Sequence, residues 1–268
     1  MALSFDPAPP FPVLGSPTFD TDAGAWLAWM AGQINLIATL NGFLVGIPTL
    51  YSTAGSFTWE RPGKCKGLIV EGLGAGGGGG SASSTGGVAR AACGGGAGSW
   101  AQLMFTSAPP AFLSLAVGAP GAGGPLGDNN GSSGGDTSIS ELGVTFYGGA
   151  GGNSAGVSTA SVATVQNTGR AQIPNVGPSS PVILGAKNGE PGEGGLKLSS
   201  GVRLSGKGGA SRYGSYGIAR NANQDSISNA GDPAVGNGAG GGGAISSTTT
   251  GAVGGAGSPG LLVLTPLF

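Results

Sequence analysis

The stretch at residues 67–80 reads GLIVEGLGAGGGGG and contains both kinds of segment from which the fold is predicted. Its first half, Gly67 to Leu73, is a short apolar run of a length and composition typical of a β-strand. Its second half, Gly74 to Gly80, is a glycine tract interrupted only by Ala75. Glycines bury almost no side chain and lose much backbone entropy on folding. If such a tract is ordered, backbone hydrogen bonds and close chain packing must therefore order it.

The same alternation continues from residue 55 to the end of the chain. The predicted strands are the apolar runs Ser56 to Trp59, Gly67 to Leu73, Trp100 to Phe105, Phe112 to Val117, Val144 to Tyr147, Pro181 to Leu184, Leu196 to Leu204 and Leu261 to Leu264. Glycine tracts lie between them at Gly74 to Gly80, Gly94 to Gly98, Gly118 to Gly124, Gly148 to Gly152, Gly238 to Gly243 and Gly254 to Gly260. The pattern predicts a mainly β protein, and the lack of a G-X-Y period excludes collagen.

Two structures remain open for the glycine tracts. They could be ordered glycine-rich loops of a β-sandwich-like domain. Alternatively, they could form packed polyglycine-II-type helices, because chains without Cβ atoms can adopt the threefold polyproline-II conformation and lie side by side. In that arrangement each chain donates N–H groups to the carbonyls of a neighbour, with Cα–H···O contacts adding a little.

Composition excludes several classes of function. The chain has 60 glycines in 268 residues, 9% charged residues, a net charge of -1 and no histidine. Without histidine, His-based catalytic triads and His metal sites are impossible. No basic cluster predicts nucleic-acid binding. We therefore expect a non-enzymatic protein with no cofactor and no metal site. Two cysteines, Cys65 and Cys93, make no disulfide framework, and whether they pair is open.

Three segments are predicted along the chain: a proline-rich extended arm at 1–19, a coiled-coil-like attachment and oligomerisation helix at 20–46, and a glycine-rich β domain at 47–268. Within the predicted helix, apolar residues at heptad spacing indicate an oligomerisation seam with one polar position. The seam consists of Leu27, Met30, Ile34, Ile37, Asn41 and Leu44. A second apolar stripe is formed by Trp29, Leu36 and Phe43, so the helix must be buried on more than one face. Polar residues such as Gln33 and Asn35 argue against a membrane span.

The order of these motifs resembles the glycine-rich domain of bacteriophage tail fibre proteins. The resemblance begins with Phe57-Thr58-Trp59, the turn Arg61-Pro62-Gly63, the strand Leu68 to Glu71 and the tract Gly74 to Gly80. It continues through Gly94 to Ala101, Leu113 to Gly124, Gly134 to Ile139 and the closing segment Gly254 to Leu264. The sequence departs from the pattern between Asn153 and Leu184, where glycine is sparse.

The resemblance implies a structural virion protein of the phage tail, assembled in the host cytoplasm. It implies a homotrimer that contacts other tail or baseplate proteins through residues 1–46. It also implies a host-surface receptor, either a glycan or an outer-membrane protein. The alternatives are a purely architectural head or neck fibre and a glycine-rich, antifreeze-like surface binder.

Receptor contact is expected where residues with larger side chains become frequent again within the glycine-rich sequence. The densest place is Ser211 to Asn229, which is rich in the Tyr, Arg and Asn residues that adaptable binding loops favour. The candidate receptor-binding residues are Arg212, Tyr213, Tyr216, Arg220, Asn221, Asn223 and Gln224. The alternative interpretation is a polar surface loop with two half-buried tyrosines.

Overall fold

The computed structural model describes residues 45–155, 163–165, 175–176, 181–199 and 201–268. The predicted arm and nearly all of the predicted 20–46 helix, including its seam, lie outside these residues. Within the described part, residues 45 and 46 of that segment are not helical, because Val45 forms an isolated antiparallel bridge with Leu267.

The described chain is mainly β, as predicted, with a single 3-10 turn at Thr85–Gly87. The strands are β1 (Thr49–Tyr51), β2 (Gly55–Glu60), β3 (Gly67–Leu73), β4 (Arg90–Ala91), β5 (Trp100–Phe105), β6 (Phe112–Val117), β7 (Thr137–Ile139), β8 (Val144–Phe146), β9 (Ala163–Val165), β10 (Asn175–Val176), β11 (Val182–Lys187), β12 (Gly195–Lys197), β13 (Arg203–Leu204), β14 (Tyr213–Ser215), β15 (Asn221–Ala222), β16 (Val235–Asn237), β17 (Ile245–Ser246) and β18 (Leu261–Leu267).

Two five-stranded antiparallel sheets form a sandwich. Sheet I has the strand order β1-β18-β3-β5-β11, and sheet II has the order β10-β8-β7-β6-β2. Alternate residues of both sheets meet in one core, as expected for two sheets that pack face to face. That core includes Trp59, Leu68, Val70, Leu103, Leu113, Leu115, Ile139, Phe146, Leu262 and Leu264.

The glycine tracts are ordered by hydrogen bonds between chain segments that are distant in sequence. In the central run, residues 74–82, Gly77 N–H donates to the Gly96 carbonyl at 2.9 Å. The next residue, Gly78, donates to Ser132 at 2.9 Å, and Gly79 donates to Gly255 at 2.8 Å. Gly80 then donates to Cys93, which belongs to the same segment as Gly96, the acceptor of Gly77. The partner thus repeats every three residues, which is the period of a polyproline-II helix.

Six other runs surround the central one. It donates to runs 93–99, 129–135 and 252–258, and it accepts hydrogen bonds from runs 121–124, 149–155 and 241–244. A backbone that is bonded on all sides in this way leaves its amide groups paired although they are buried. Of the two structures left open by the sequence, this pattern matches the packed helices and does not match separate loops.

Close packing makes the glycines necessary at particular positions. A Cβ atom added at Gly78 would overlap the carbonyl group of Ala122, and one added at Gly241 would overlap the carbonyl oxygen of Gly255. These obstacles are backbone atoms, which cannot rotate away as a side chain could. Any larger residue at either position must therefore separate two runs.

The runs connect the sandwich to a second set of short strands. Run 74–82 leaves β3 and leads towards β4, and the segment 188–194 leaves β11 and leads to β12. The chain returns by the same kind of segment, for example between β13 and β14. The bundle therefore has the sandwich at one end and the strands β4, β12, β13, β15 and β17 at the other, which we call the tip. At about 3.1 Å per residue, run 74–82 spans roughly 25 Å between the two.

Both cysteines are buried, and no disulfide joins them. The Cys65 thiol donates to the Gly67 carbonyl at 3.0 Å. Burial raises the pKa of the Cys93 thiol, while backbone hydrogen bonds from Gly195 and Asn153 oppose the rise. Cys65 and Cys93 therefore do not pair with each other, a point that the sequence left open.

Candidate functional site

A four-stranded sheet at the tip carries the candidate site. Its strand order is β15-β13-β12-β9, and all its pairs are antiparallel. Leu196 of β12 pairs with Leu204 of β13, which in turn pairs with Asn221 of β15. Because paired residues lie on the same side of a sheet, these three side chains share one face.

The turn between β12 and β13 corrects one predicted strand. The sequence pattern predicts a single strand from Leu196 to Leu204, but the structure has two short strands joined by a tight turn. The Leu198 N–H donates to the Val202 carbonyl at 2.9 Å, and the Val202 N–H donates to the Ser199 hydroxyl at 3.0 Å. Serine and glycine favour turns through their hydroxyl and their backbone freedom, and Ser199 and Gly201 supply the two.

The shared face opens into a groove with a volume of about 450 Å³. It is lined by Leu196, Leu198, Val202, Arg203, Leu204, Asn221, Ala222, Asn223, Ile227 and Asn229. Leu198 is 51% exposed, and Val202 and Leu204 are each 44% exposed. The groove therefore has an aliphatic floor that faces solvent and a rim of three asparagine side chains.

Arg203 supports the groove from below. Its side chain is fully buried, and its Nη2 donates to the carbonyls of Gln224 and Ile227 at 2.9 and 3.0 Å. Nη1 lies 3.8 Å from the Asp225 carboxylate. Burial lowers the pKa of the Arg203 guanidinium, and Asp225 opposes that effect. Arg203 thereby fixes the loop that carries the Asn223 and Ile227 walls of the groove.

A second buried arginine anchors the adjoining turn. Arg90 of β4 forms an ion pair with Asp128, and its Nη1 donates to the Ser83 hydroxyl at 2.9 Å. Desolvation by itself raises the pKa of Asp128, but the hydrogen bonds from Arg90 and Ser83 outweigh it and hold that pKa below its usual value. The tip is thus built on charges that are paired within it.

Two of the predicted receptor-binding residues lie at the sandwich end of the bundle. The Tyr213 hydroxyl and the Trp100 Nε1 donate to the same Glu71 oxygen, at 2.5 and 2.8 Å. The Arg212 guanidinium lies 4.4 Å from the centroid of the Trp100 ring and 3.4 Å from Glu71. Burial raises the pKa of the Tyr213 phenol, and the hydrogen bond to Glu71 raises it further. These contacts hold β14 against sheet I.

The remaining predicted residues are divided between the bundle and the tip. The Lys207 ammonium lies over the Tyr216 ring, 5.2 Å from the ring centroid. Arg220 forms an ion pair with Asp232. Asn221 and Asn223 line the groove, whereas Gln224 is exposed and contributes its carbonyl to Arg203. The structure therefore does not bring the seven predicted residues into one cluster.

The aliphatic part of the groove was missed by sequence reasoning. Leu196, Leu198, Val202 and Leu204 look like the core positions of a strand, because nothing in an apolar run shows that its side chains remain exposed. The Ser-Ser-Gly turn within the run was the available signal.

No group of His, Cys, Asp and Glu that could hold a metal ion occurs among the residues that the structure describes. Across that same part of the chain, no helix has the length and hydropathy needed to cross a bilayer.

The fold and the tip define a glycine-rich β protein in which a bundle of hydrogen-bonded glycine runs joins a sandwich to an exposed groove. The chain belongs to the glycine-rich domain family, whose model matches residues 52–265. A search of curated proteins found no significant match.

Proposed function

We propose that this chain is a structural bacteriophage tail fibre or tail-tip protein that attaches the virion to the host surface. The observation that carries the proposal is the placement of the two ends. Val45, where the described chain begins, joins the sandwich, and the exposed groove lies at the opposite end of the bundle. A segment that attaches to the tail would thus be held away from the surface that contacts the host. The resemblance to tail fibre proteins supports the same assignment.

The groove favours a protein loop over a glycan as the receptor. Its floor is aliphatic, and the described residues that line it include no aromatic ring on which a sugar could stack. Apolar side chains of a partner can be buried on Leu198, Val202 and Leu204, while the asparagine amides can bond to its backbone. Such a core with a polar rim is the usual anatomy of a protein interface.

Two other functions are compatible with the same scaffold, but each would use the tip differently. An architectural head or neck fibre would need the bundle and not the groove. An antifreeze-like binder would act as a free protein, outside any particle. Both alternatives can be separated from attachment by locating the chain and then altering its groove.

The test has two stages. Immunogold electron microscopy of the source phage should place the chain at the tail. A Leu198→Asp, Val202→Asp variant should then reduce adsorption of the particles to their host by about tenfold or more, because loss of a central interface hot spot costs about 2 kcal/mol or more. Both residues are exposed, so the variant is expected to assemble normally.

Val235→Asp provides the matched control. Val235 is 70% exposed on β16, at the sandwich end of the bundle, and takes no part in the groove. Adsorption should remain normal in this variant. Labelling of the head or neck would favour the architectural alternative. Unchanged adsorption of the groove variant on tail-located protein would remove the groove from the proposal.

A further inference from the structure

The outer faces of the two sandwich sheets differ in chemistry. In sheet II the residues that point away from the core are mainly hydroxyl-bearing, namely Ser56, Thr58, Ser114, Ser138 and Thr145. In sheet I each of the five strands contributes an outward apolar residue, and the polar residues Glu71, Gln102 and Thr265 share that face. The apolar set, which we call the outer apolar row, consists of Leu50, Ile69, Met104, Val182 and Val263.

The strand register arranges this row in two groups that adjoin diagonally, because Val263 lies opposite Glu71, and Ile69 lies opposite Thr265, two residues further along β18. Leu50 pairs with Val263 at one edge of the sheet. Ile69 pairs with Met104, which pairs with Val182 at the other edge. Leu50 is 61% exposed and Val182 is 49% exposed, and the three residues between them are partly buried.

β14 contacts this outer face at Glu71 and Trp100, and the outer apolar row beside those contacts requires a further cover. An antiparallel sheet with one solvated face normally has polar side chains there, as sheet II does. Contiguous exposed apolar surface marks an interaction site. Sheet II has one exposed aromatic residue on its outer face, Phe112, at the edge pair with Glu60, whereas an apolar residue on every strand is specific to sheet I.

We propose that residues 23–44 of this chain cover the outer face of sheet I. The segment contains no charged residue, and it is rich in large apolar ones such as Trp29, Leu36 and Phe43. It leads directly into sheet I, because Val45 bridges Leu267 and β1 is an edge strand of that sheet. Attachment at the edge gives the segment a high effective concentration at this face.

The length of the segment is sufficient. Five strands at about 4.8 Å spacing give sheet I a width of roughly 19 Å. Twenty-two residues reach about 33 Å even at the short rise of a helix. The proposal also assigns the two apolar stripes of the segment to different partners: Trp29, Leu36 and Phe43 to sheet I, and the Leu27/Met30/Ile34/Ile37 seam to other copies.

The test measures access to a cysteine placed in the outer apolar row. Met104→Cys in the full chain should react slowly with a charged maleimide. Replacing Trp29, Leu36 and Phe43 by serine should increase its rate by about tenfold or more, because an opened face admits the reagent. The native Cys65 and Cys93 are buried and add little background.

Ser138→Cys is the control, because Ser138 lies on the outer face of sheet II. Its rate should not change when the three apolar residues are replaced. A Met104→Cys rate that is the same in both backgrounds would overturn the proposal. A rate that rises on dilution of the otherwise unaltered chain would also overturn it, because the cover would then be a second copy.

A reciprocal variant guards against misfolding of the serine-substituted chain. Ile69→Lys should speed chymotryptic cleavage within residues 26–44, whereas Thr58→Lys on sheet II should not, since a buried unpaired ammonium disfavours docking. Equal cleavage in both variants and the unaltered chain would count against the proposal. Neither experiment requires a host or a virion, so this inference can fail while the attachment function stands.

Discussion

Gly78 illustrates how a single backbone position supports the bundle. Its N–H donates to Ser132, its carbonyl accepts from Gly152, and a Cβ would overlap the carbonyl group of Ala122. Ordinary core positions lose stability when a side chain becomes smaller. Here stability depends on the absence of any side chain, because another backbone occupies the space.

Gly78→Ala should therefore destabilise the protein by more than about 3 kcal/mol, well above the roughly 1 kcal/mol typical of point mutants. Gly63→Ala is the matched control, because nothing lies within 4 Å of a Cβ at Gly63, and its effect should stay within about 0.5 kcal/mol. Urea unfolding followed by tryptophan fluorescence provides the measurement. Equal midpoints for the two variants would mean that the run around Gly78 is not packed as described.

At the scale of elements, the strands next to glycine tracts were the predictable part of the fold. Gly67 to Leu73, Trp100 to Phe105 and Phe112 to Val117 are strands with the predicted bounds. Their apolar residues are consecutive or alternate, and a glycine tract or a proline-containing turn marks where each one stops. The short strands β14 to β17 have no such signal, because two or three residues among glycines contain no measurable periodicity.

The candidate site was predictable only in part for a related reason. Asn221 and Asn223 were selected as residues of the types that binding loops favour, and they do line the groove. Arg212 and Tyr213 were selected by the same criterion, yet they contact Glu71, which is 142 residues from Tyr213 in the sequence. A partner at that separation is set by the packing of the runs, and local composition contains no information about it.

The predicted seam at residues 20–46 lies outside the described residues and remains a prediction. Purified protein should scatter light as a homotrimer of the 25.4 kDa chain. Ile34→Asp should lower the mass, because a charge at a seam position must be buried in the assembly. Gln33→Asp, one position away and off the seam, should not. A monomeric unaltered chain would refute the trimer, and an unchanged mass in Ile34→Asp would refute the seam.

At the scale of the whole molecule, two kinds of burial operate in one chain. The sandwich buries apolar side chains around Trp59, Leu68 and Phe146. The bundle buries mainly peptide groups, paired across runs 74–82, 93–99, 129–135 and 252–258. Because every run begins or ends at a sandwich strand or a tip strand, separation of the runs should disrupt both ends, and we expect one cooperative unit.

This division predicts an unusual heat capacity of unfolding. Exposure of apolar surface raises the heat capacity, and exposure of polar surface lowers it. Unfolding of the bundle exposes mostly peptide groups, so calorimetry should give a value per residue below the usual range of about 12–15 cal/mol/K. The urea m-value is the internal control, because it scales with the total surface exposed and should remain ordinary for the chain length. A normal heat capacity together with a normal m-value would contradict the prediction, since the runs would then have to bury apolar surface as a conventional core does.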